Sequence, residues 1–126
     1  MVPSAGAPDN NIRLIKARYH LNLAYDEMFA YTHEDARNLA AEGKLETIIK
    51  NILDRYRALK SKCHFVLCEG TDFTGVGSAF EFEFNAEVAN NLGAPILALV
   101  NGRNKTPDEI VDTVQVSQES FDEKGC

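Results

Sequence analysis

The chain has 126 residues and a formal net charge of −6, and 44% of its residues are hydrophobic while 25% are charged. That length is enough for one small globular domain with one core. The negative charge and the lack of a basic cluster argue against nucleic acids and anionic membranes as partners, and no apolar run reaches the roughly 20 residues of a membrane span.

The three cysteines Cys63, Cys68 and Cys126 form no disulfide framework, and their odd number is typical of a reducing compartment. The first eleven residues, MVPSAGAPDNN, have neither the charged leader nor the apolar stretch of a secretory signal. We therefore expect a cytoplasmic protein. Cys63 and Cys68 are interpreted as small apolar residues rather than metal ligands, because the adjacent His64 would point to the other face of a strand.

The start of the chain carries one clear helix signal. Residues 1–8 are small and include proline, so we expect a loose N-terminal segment before a single α/β domain at 9–126. Asp9 can cap a helix that runs to Tyr19. Residues 21–31 are aromatic and favour neither helix nor strand.

Two more helices are predicted in the middle of the chain. Thr32 begins one of them, with Asp35 as its capping partner, and Gly43 ends it. The next, at 44–61, has the strongest helical periodicity, because its apolar residues form one stripe. The stripe consists of Leu45, Ile48, Ile49, Ile52, Leu53, Tyr56 and Leu59.

Strand and helix signals alternate in the second half. Residues 64–68 and 95–100 are predicted as apolar strands, the second of which, PILALV, is typical of a parallel strand covered on both faces. Between them, a helix at 79–92 ends at Gly93. The sequence TPDE at 106–109 predicts the start of a last helix, with a Thr cap, a Pro and a Glu three residues on. Its core face is predicted to be Ile110, Val114, Ser117 and Phe121.

This order of elements predicts an α/β fold in which the unit at 65–100 is a right-handed parallel crossover. We expect two or three strands and four to five helices. So small a sheet would have exposed edges, which proteins normally pair or cover, and a fragment of a doubly wound parallel sheet is one explanation. Unrecognised strands near the N-terminus, or an oligomer that joins the sheet edges, are the alternatives.

The loop after the first strand has a phosphate-loop spacing without the residues that such a loop needs. Gly70 and Gly75 match the Walker A pattern, but Val76 and Gly77 stand where Lys and Ser or Thr belong. A dinucleotide fingerprint also fails, because Phe80 occupies the place of its third glycine. The loop therefore predicts weak nucleotide binding or none.

The ends of the two predicted strands are the other candidate site. Ligands of parallel α/β sheets bind beyond the carboxyl ends of the strands, where Glu69 and Asn101 stand here. A carboxylate at such a place can hold Mg²⁺ directly or through water. Alternatively, Glu69 accepts hydrogen bonds from loop amides and has only a structural role. No nucleophile elbow occurs, and we assign no catalytic residue.

Three stretches resemble a known family. HFVLCEGTDF, FEFNAEVANNLGAPILALVNG and TPDEIVDTVQVSQESF resemble the amino-terminal domain of long-form bacterial phosphate acetyltransferase, which is a P-loop-type domain similar to dethiobiotin synthetase. The resemblance reaches back to GAPDNN, and NAEVA with LGAP is its most specific part. It implies that the chain lacks the P-loop strand with which the family's domain begins, as a fragment would.

The resemblance also implies residue roles. Glu69 and Asp9 match metal-side acids of dethiobiotin synthetases, and Gly70 matches the following glycine, which touches the cofactor site. The family's acetyl-transfer site lies in a separate carboxyl-terminal domain, so the implied role here is regulation and assembly. The implied partners are further copies of the chain and that catalytic domain, and no cofactor is expected beyond a vestigial nucleotide and magnesium site.

Two alternatives stay open. One is a dethiobiotin-synthetase-like ligase that uses ATP and Mg²⁺, against which the missing Walker lysine counts. The other is an interaction module that self-associates through its sheet edge and through aromatic residues such as Phe29, Phe80 and Phe82.

Overall fold

The computed structural model describes residues 1–3, 6, 8–70 and 78–126, and at 78–81 only the backbone. These residues fall into two compact units, Met1–Phe73 and Thr74–Cys126. The loop with the phosphate-loop spacing, at 71–77, lies outside the described residues, as does the side chain of Phe80. None of the helices in the described parts of the chain is both long and apolar enough to cross a membrane.

The first unit is helical, and its helices lie where the capping signals predict them. They are α1 at Asn10–Arg18, α2 at His33–Ala41 and α3 at Leu45–Lys60, with a single 3-10 turn at Tyr25–Glu27. Asp9 Oδ1 accepts hydrogen bonds from the backbone amides of Asn11 at 2.9 Å and Ile12 at 3.1 Å. Such a cap satisfies amides that have no partner inside the helix.

The core of this unit lies where α2 packs against α3. Ile48 is completely buried, and Ile49 and Ala36 are also in the core. The predicted stripe of α3 is confirmed, because each of its apolar residues is buried or half-buried, whereas the helix's charged residues are exposed. Burial of this stripe is the main stabilising contribution to α3, since isolated helices of this length are marginal in water.

Val2 is part of the same core. Its side chain is only 1% exposed, and its backbone forms a single parallel β-bridge with Thr32. The Val2 amide donates to Tyr31 O at 3.0 Å, and Val2 O accepts from the amide of His33 at 2.9 Å. The chain's second residue is therefore joined to the segment that leads into α2.

The second unit consists of α4 at Ser78–Leu92 and α5 at Pro107–Glu123. Gly93 ends α4 with a φ of +60°, a left-handed conformation that favours glycine. The predicted capping box at the start of α5 is confirmed, with Thr106 and Glu109 bonded in both directions. The rings of Phe82 and Phe121 pack at a centroid distance of 4.7 Å and join the two helices.

One residue of the predicted α5 face is misplaced. Ile110, Ser117 and Phe121 are half-buried as predicted, but Val114 is 45% exposed and Thr113 lies inward instead. Positions 113, 117 and 121 follow one another at intervals of four, so they form a single row on the helix. Val114 lies on the flank of that row.

The described residues contain no β-strand, only the bridge at Val2. Among the described residues, the two segments predicted as strands carry the most exposed large apolar side chains, with Phe65 79%, Leu67 72%, Leu97 79% and Leu99 90% exposed. An uninterrupted apolar strand is typical of a sheet whose two faces are both covered. The fragment of a parallel sheet therefore stays a prediction.

Candidate functional site

The predicted metal-side residues Asp9 and Glu69 both lie near the start of α1. Asp9 is the N-cap of that helix. The amide nitrogen Nδ2 of Asn11, in the first turn of α1, donates to Glu69 Oε1 at 2.9 Å. Backbone amides at the start of α1 therefore bind Asp9, and the side chain of Asn11 binds Glu69.

Asp9 is held on its other side by an aromatic residue. Its backbone amide donates to the hydroxyl of Tyr25 at 2.8 Å. The ring of Tyr25 lies 5.2 Å from the ring of Phe29, measured between centroids, at an interplanar angle of 51°. Tilted aromatic pairs of this kind are favourable, so Phe29 helps to hold Tyr25 where its hydroxyl accepts from Asp9.

The carboxylates of Asp9 and Glu69 both interact with the charge of the Met1 amino group. Burial lowers the pKa of the Met1 amino group from its ordinary value of 8.0, and the carboxylates of Glu69 and Asp9 act in the opposite direction. Coulomb interactions of this kind fall with distance and are screened by solvent. Asp9 and Glu69 therefore lie in one corner of the first unit, at the start of α1, and their role as a pair of metal-side acids stays a prediction.

The donor atoms at this corner fit Mg²⁺ by type. Carboxylate oxygens are hard ligands, and Mg²⁺ in proteins is commonly held by one or two carboxylates together with water and substrate phosphate. Among the described residues, no group of three or more His, Cys, Asp or Glu side chains could hold a metal ion. Asp9 and Glu69 would therefore bind the ion as a pair, with phosphate or water as further ligands.

The same contacts also support a purely structural role. Asp9 Oδ1 accepts a hydrogen bond from a backbone amide in the first turn of α1. Glu69 Oε1 accepts one from the side chain of Asn11 in the same helix. Negative charge at a helix N-terminus is stabilised by the helix dipole. The predicted structural alternative, in which loop backbone amides are the donors to Glu69, stays a prediction, because the loop at 71–77 lies outside the described residues.

Gly70 follows Glu69 and is exposed. The residues after it, including Gly75, Val76 and Gly77, are outside the described part of the chain. Contact of Gly70 with a cofactor therefore stays a prediction. Asn101, expected beside Glu69 at the strand ends, belongs to the second unit, where its side chain accepts a hydrogen bond from the amide of Arg103 at 2.9 Å.

Asn11 is the site residue that the sequence did not reveal. Its signal is weak, because an Asn two residues after a helix cap has no special meaning, and Glu69 is 58 positions away. Only the resemblance placed Asp9 and Glu69 together. A contact between residues so distant in the chain depends on the tertiary fold, which local patterns do not report.

The cysteine thiols have no features of a nucleophile. Cys63 is half-buried, Cys68 and Cys126 are exposed, and all three are free. Burial raises the pKa of the Cys68 thiol above its ordinary value of 9.0. Because the thiolate is the reactive form, this shift disfavours a nucleophilic role for Cys68.

Comparison with known proteins identifies a family and several curated relatives, among them two phosphate acetyltransferases. The AAA domain family matches residues 4–124. Phosphate acetyltransferase of Nitratidesulfovibrio vulgaris is 43% identical over 122 residues, which are 97% of this chain and 17% of that protein. Phosphate acetyltransferase of Synechocystis sp. is 35% identical over 124 residues, which are 98% of this chain and 18% of that protein. No solved structure matches.

These matches confirm the resemblance to phosphate acetyltransferase that the sequence motifs predict. The chain spans less than a fifth of the length of the relatives that it matches. The similarity therefore concerns one region of those proteins, and it covers nearly all of this chain.

Proposed function

Because this chain belongs to the AAA domain family, we propose that it forms part of the regulatory and assembly region of a phosphate acetyltransferase. The observation that carries this proposal is the 43% identity over 97% of the chain. The parent enzyme would convert acetyl-CoA and phosphate into acetyl phosphate and CoA. This segment would contribute no group to that reaction.

The non-catalytic role is supported by the chemistry of the residues at the candidate site. Asp9 and Glu69 serve as hydrogen-bond acceptors for α1. Val76 stands directly after Gly75, where a phosphate loop has the lysine that binds a terminal phosphate, and burial raises the pKa of the Cys68 thiol. The resemblance assigns acetyl transfer to a separate carboxyl-terminal domain, which would be the partner of this region together with further copies of the chain.

We propose a cytoplasmic location and no binding to nucleic acid or membrane. The net charge of −6 and the three free cysteines support these proposals. An acidic surface repels polyanions, and free thiols are typical of a reducing compartment.

We also propose that the segments 64–68 and 95–100 are strands of a doubly wound parallel sheet in the parent. Their side chains Phe65, Leu67, Leu97 and Leu99 are between 72% and 90% exposed, which is costly for apolar surface in water. The relatives are several times longer than this chain, so they have ample residues for further strands.

A pair of variants of the Nitratidesulfovibrio enzyme tests the assembly role. In one, the 122 matched residues are deleted, and in the other they are replaced by this chain. We expect the deletion to reduce the oligomer size in light scattering, while acetyl transfer per subunit stays within about twofold because the chemistry lies elsewhere. The replacement should restore the size. Loss of acetyl transfer in a deletion variant that is folded and fully assembled would contradict the proposal.

A dethiobiotin-synthetase-like ligase is the second candidate, and the common corner of Asp9 and Glu69 supports it. These residues would hold Mg²⁺, which would neutralise phosphate charge. A nucleotide at 100 times its dissociation constant adds about 2.7 kcal/mol of stability. We expect no change in melting temperature with millimolar MgATP. A rise that disappears in Glu69→Gln, and not in the control Glu46→Gln, would instead favour the ligase.

A further inference from the structure

The outward face of α1 presents an exposed leucine between two arginines. Leu14 is 67% exposed, and Arg13 and Arg18 stand on either side of it on the helix surface. The opposite face is the inner one, where Ile12 and Lys16 are half-buried and Lys16 Nζ bonds to Leu23 O. Every charged residue within α1 is basic. Neither arginine belongs to a salt bridge among the described residues.

A surface concavity on α1 reaches from the outward Leu14 to Lys16 at the edge of the inner face. It has a volume of about 500 Å³ and is lined by Asn10, Arg13, Leu14, Lys16 and Ala17. Positions 10, 13, 14 and 17 have the spacing of one helix face, the pattern through which helices dock on partners. An exposed leucine with basic neighbours favours a partner that has an apolar side chain among acids.

The outward face of α5 has that complementary chemistry. Every charged residue within α5 is acidic. Val116 is 62% exposed, and Asp112 and Glu119 lie one turn before and one turn after it, on the side of the helix away from Ser117 and Phe121. No salt bridge within the described residues involves these two acids. The rise along the helix axis is about 10 Å from Asp112 to Glu119 and about 7.5 Å from Arg13 to Arg18. The two acids and the two arginines therefore have similar spacings.

We propose that α1 of one copy of the chain docks on α5 of a second copy. Leu14 packs on Val116, and the arginines at 13 and 18 face the acids at 112 and 119. A two-fold symmetric pair contains this contact twice, because each copy supplies one α1 and one α5. The inference rests on the proposed assembly function and identifies the two helix faces through which copies of the chain associate.

Charge reversal tests the proposal on the full 126-residue chain. Arg13→Glu with Arg18→Glu makes α1 acidic, and Asp112→Lys with Glu119→Lys makes α5 basic. Each pair should weaken self-association in sedimentation equilibrium by about tenfold or more, since attraction becomes repulsion at both symmetric contacts. The matched control, Arg37→Glu with Lys50→Glu, makes the same charge change on exposed residues outside α1 and should leave association unchanged.

Mixing the two reversed variants supplies the decisive result. In the mixture, an acidic α1 meets a basic α5 and a basic α1 meets an acidic α5, so association should return. The four substitutions in one chain should restore it as well, and circular dichroism establishes that each variant keeps its helices. Association of the unmodified chain should also fall between about 0.05 and 0.5 M salt, as the Debye length shortens.

Three outcomes would overturn the proposal. They are a monomeric unmodified chain at every concentration, association that increases with salt, and reversed variants that remain separate on mixing. The deletion and replacement experiment on the Nitratidesulfovibrio enzyme is independent of these measurements. Assembly through another surface would therefore be distinguished from the absence of an assembly role.

Discussion

The side-chain amide of Asn11 donates a hydrogen bond to Glu69 Oε1 at 2.9 Å and so joins two residues that lie 58 positions apart. The bond places a carboxylate beside the first turn of α1, whose N-cap is another acid, Asp9. Both charges lie at the positive end of the helix dipole, where they are stabilised. The corner can therefore be stable with no ion bound.

Asn11→Ala tests the strength of this link. The bond is exposed, so its loss should lower the free energy of unfolding by about 0.5–1 kcal/mol, the range for hydrogen bonds and ion pairs at a surface. Urea unfolding measures the change. Asn38→Ala, at an exposed position of α2, is the matched control and should have a smaller effect. Equal losses in the two variants would show that the link to Glu69 contributes nothing.

The cap of α2 should make a larger contribution. Thr32 is 9% exposed, its hydroxyl oxygen accepts from the amide of Asp35 at 3.1 Å, and it donates to the Asp35 carboxylate at 2.7 Å. Thr32→Ala removes both bonds and should cost about 1–2 kcal/mol in thermal or urea unfolding. Thr32→Ser keeps the hydroxyl and should lose less than half of that amount. A serine variant as unstable as the alanine variant would assign the loss to the methyl group.

The capping box of α5 predicts a specific dependence on pH. Hydrogen bonds from the amide and hydroxyl of Thr106 hold the pKa of Glu109 below its ordinary value of 4.5. The stabilisation is therefore complete above that pH and is lost as the pH falls through the pKa of the folded state. Glu109→Gln keeps an acceptor oxygen at every pH.

The glutamine variant should consequently lose less stability than the unmodified chain between about pH 5 and pH 3, as measured by thermal unfolding at each pH. Glu119→Gln removes a carboxylate of the same helix outside the capping box and should leave the acid loss unchanged. The same loss of stability with falling pH in all three proteins would show that Glu109 does not contribute to that loss.

The exposed apolar segments predict poor solubility for the isolated chain. Leu97 and Leu99 are 79% and 90% exposed within an uncharged run rich in apolar residues. Segments of this kind add to other strands and aggregate. Leu97→Lys with Leu99→Lys should lower light scattering on storage without changing the helical circular dichroism signal. Loss of helix in this variant would show that the segment packs in the native state.

The helices are predictable because their signals are local. Thr32 with Asp35 and Thr106 with Glu109 are caps whose partners lie three residues away, and both caps are present in the structure. The apolar stripe of α3 is equally local, since its period follows from helix geometry. Val114 was assigned to the core face because it stands four residues after Ile110 and three before Ser117, a spacing that fits a helix face as well as that of the polar Thr113 does.

The rest depends on distant contacts. Nothing in the local pattern indicates that Val2 is buried or that Asn11 bonds to Glu69. The strands at 64–68 and 95–100 are a prediction of the same kind, because a strand is defined by a partner that local sequence does not identify. Asp9 and Glu69 were paired through family resemblance rather than through spacing.

The β-bridge between Val2 and Thr32 has a consequence for how the first unit folds. α1 and α3 can begin to form from neighbouring residues, whereas this bridge requires closure of a loop of thirty residues, which costs entropy before any contact repays it. The amide of His33, at the start of α2, is protected from hydrogen exchange only once it donates to Val2 O. Slow hydrogen exchange at His33 would therefore report that the unit has completed its folding.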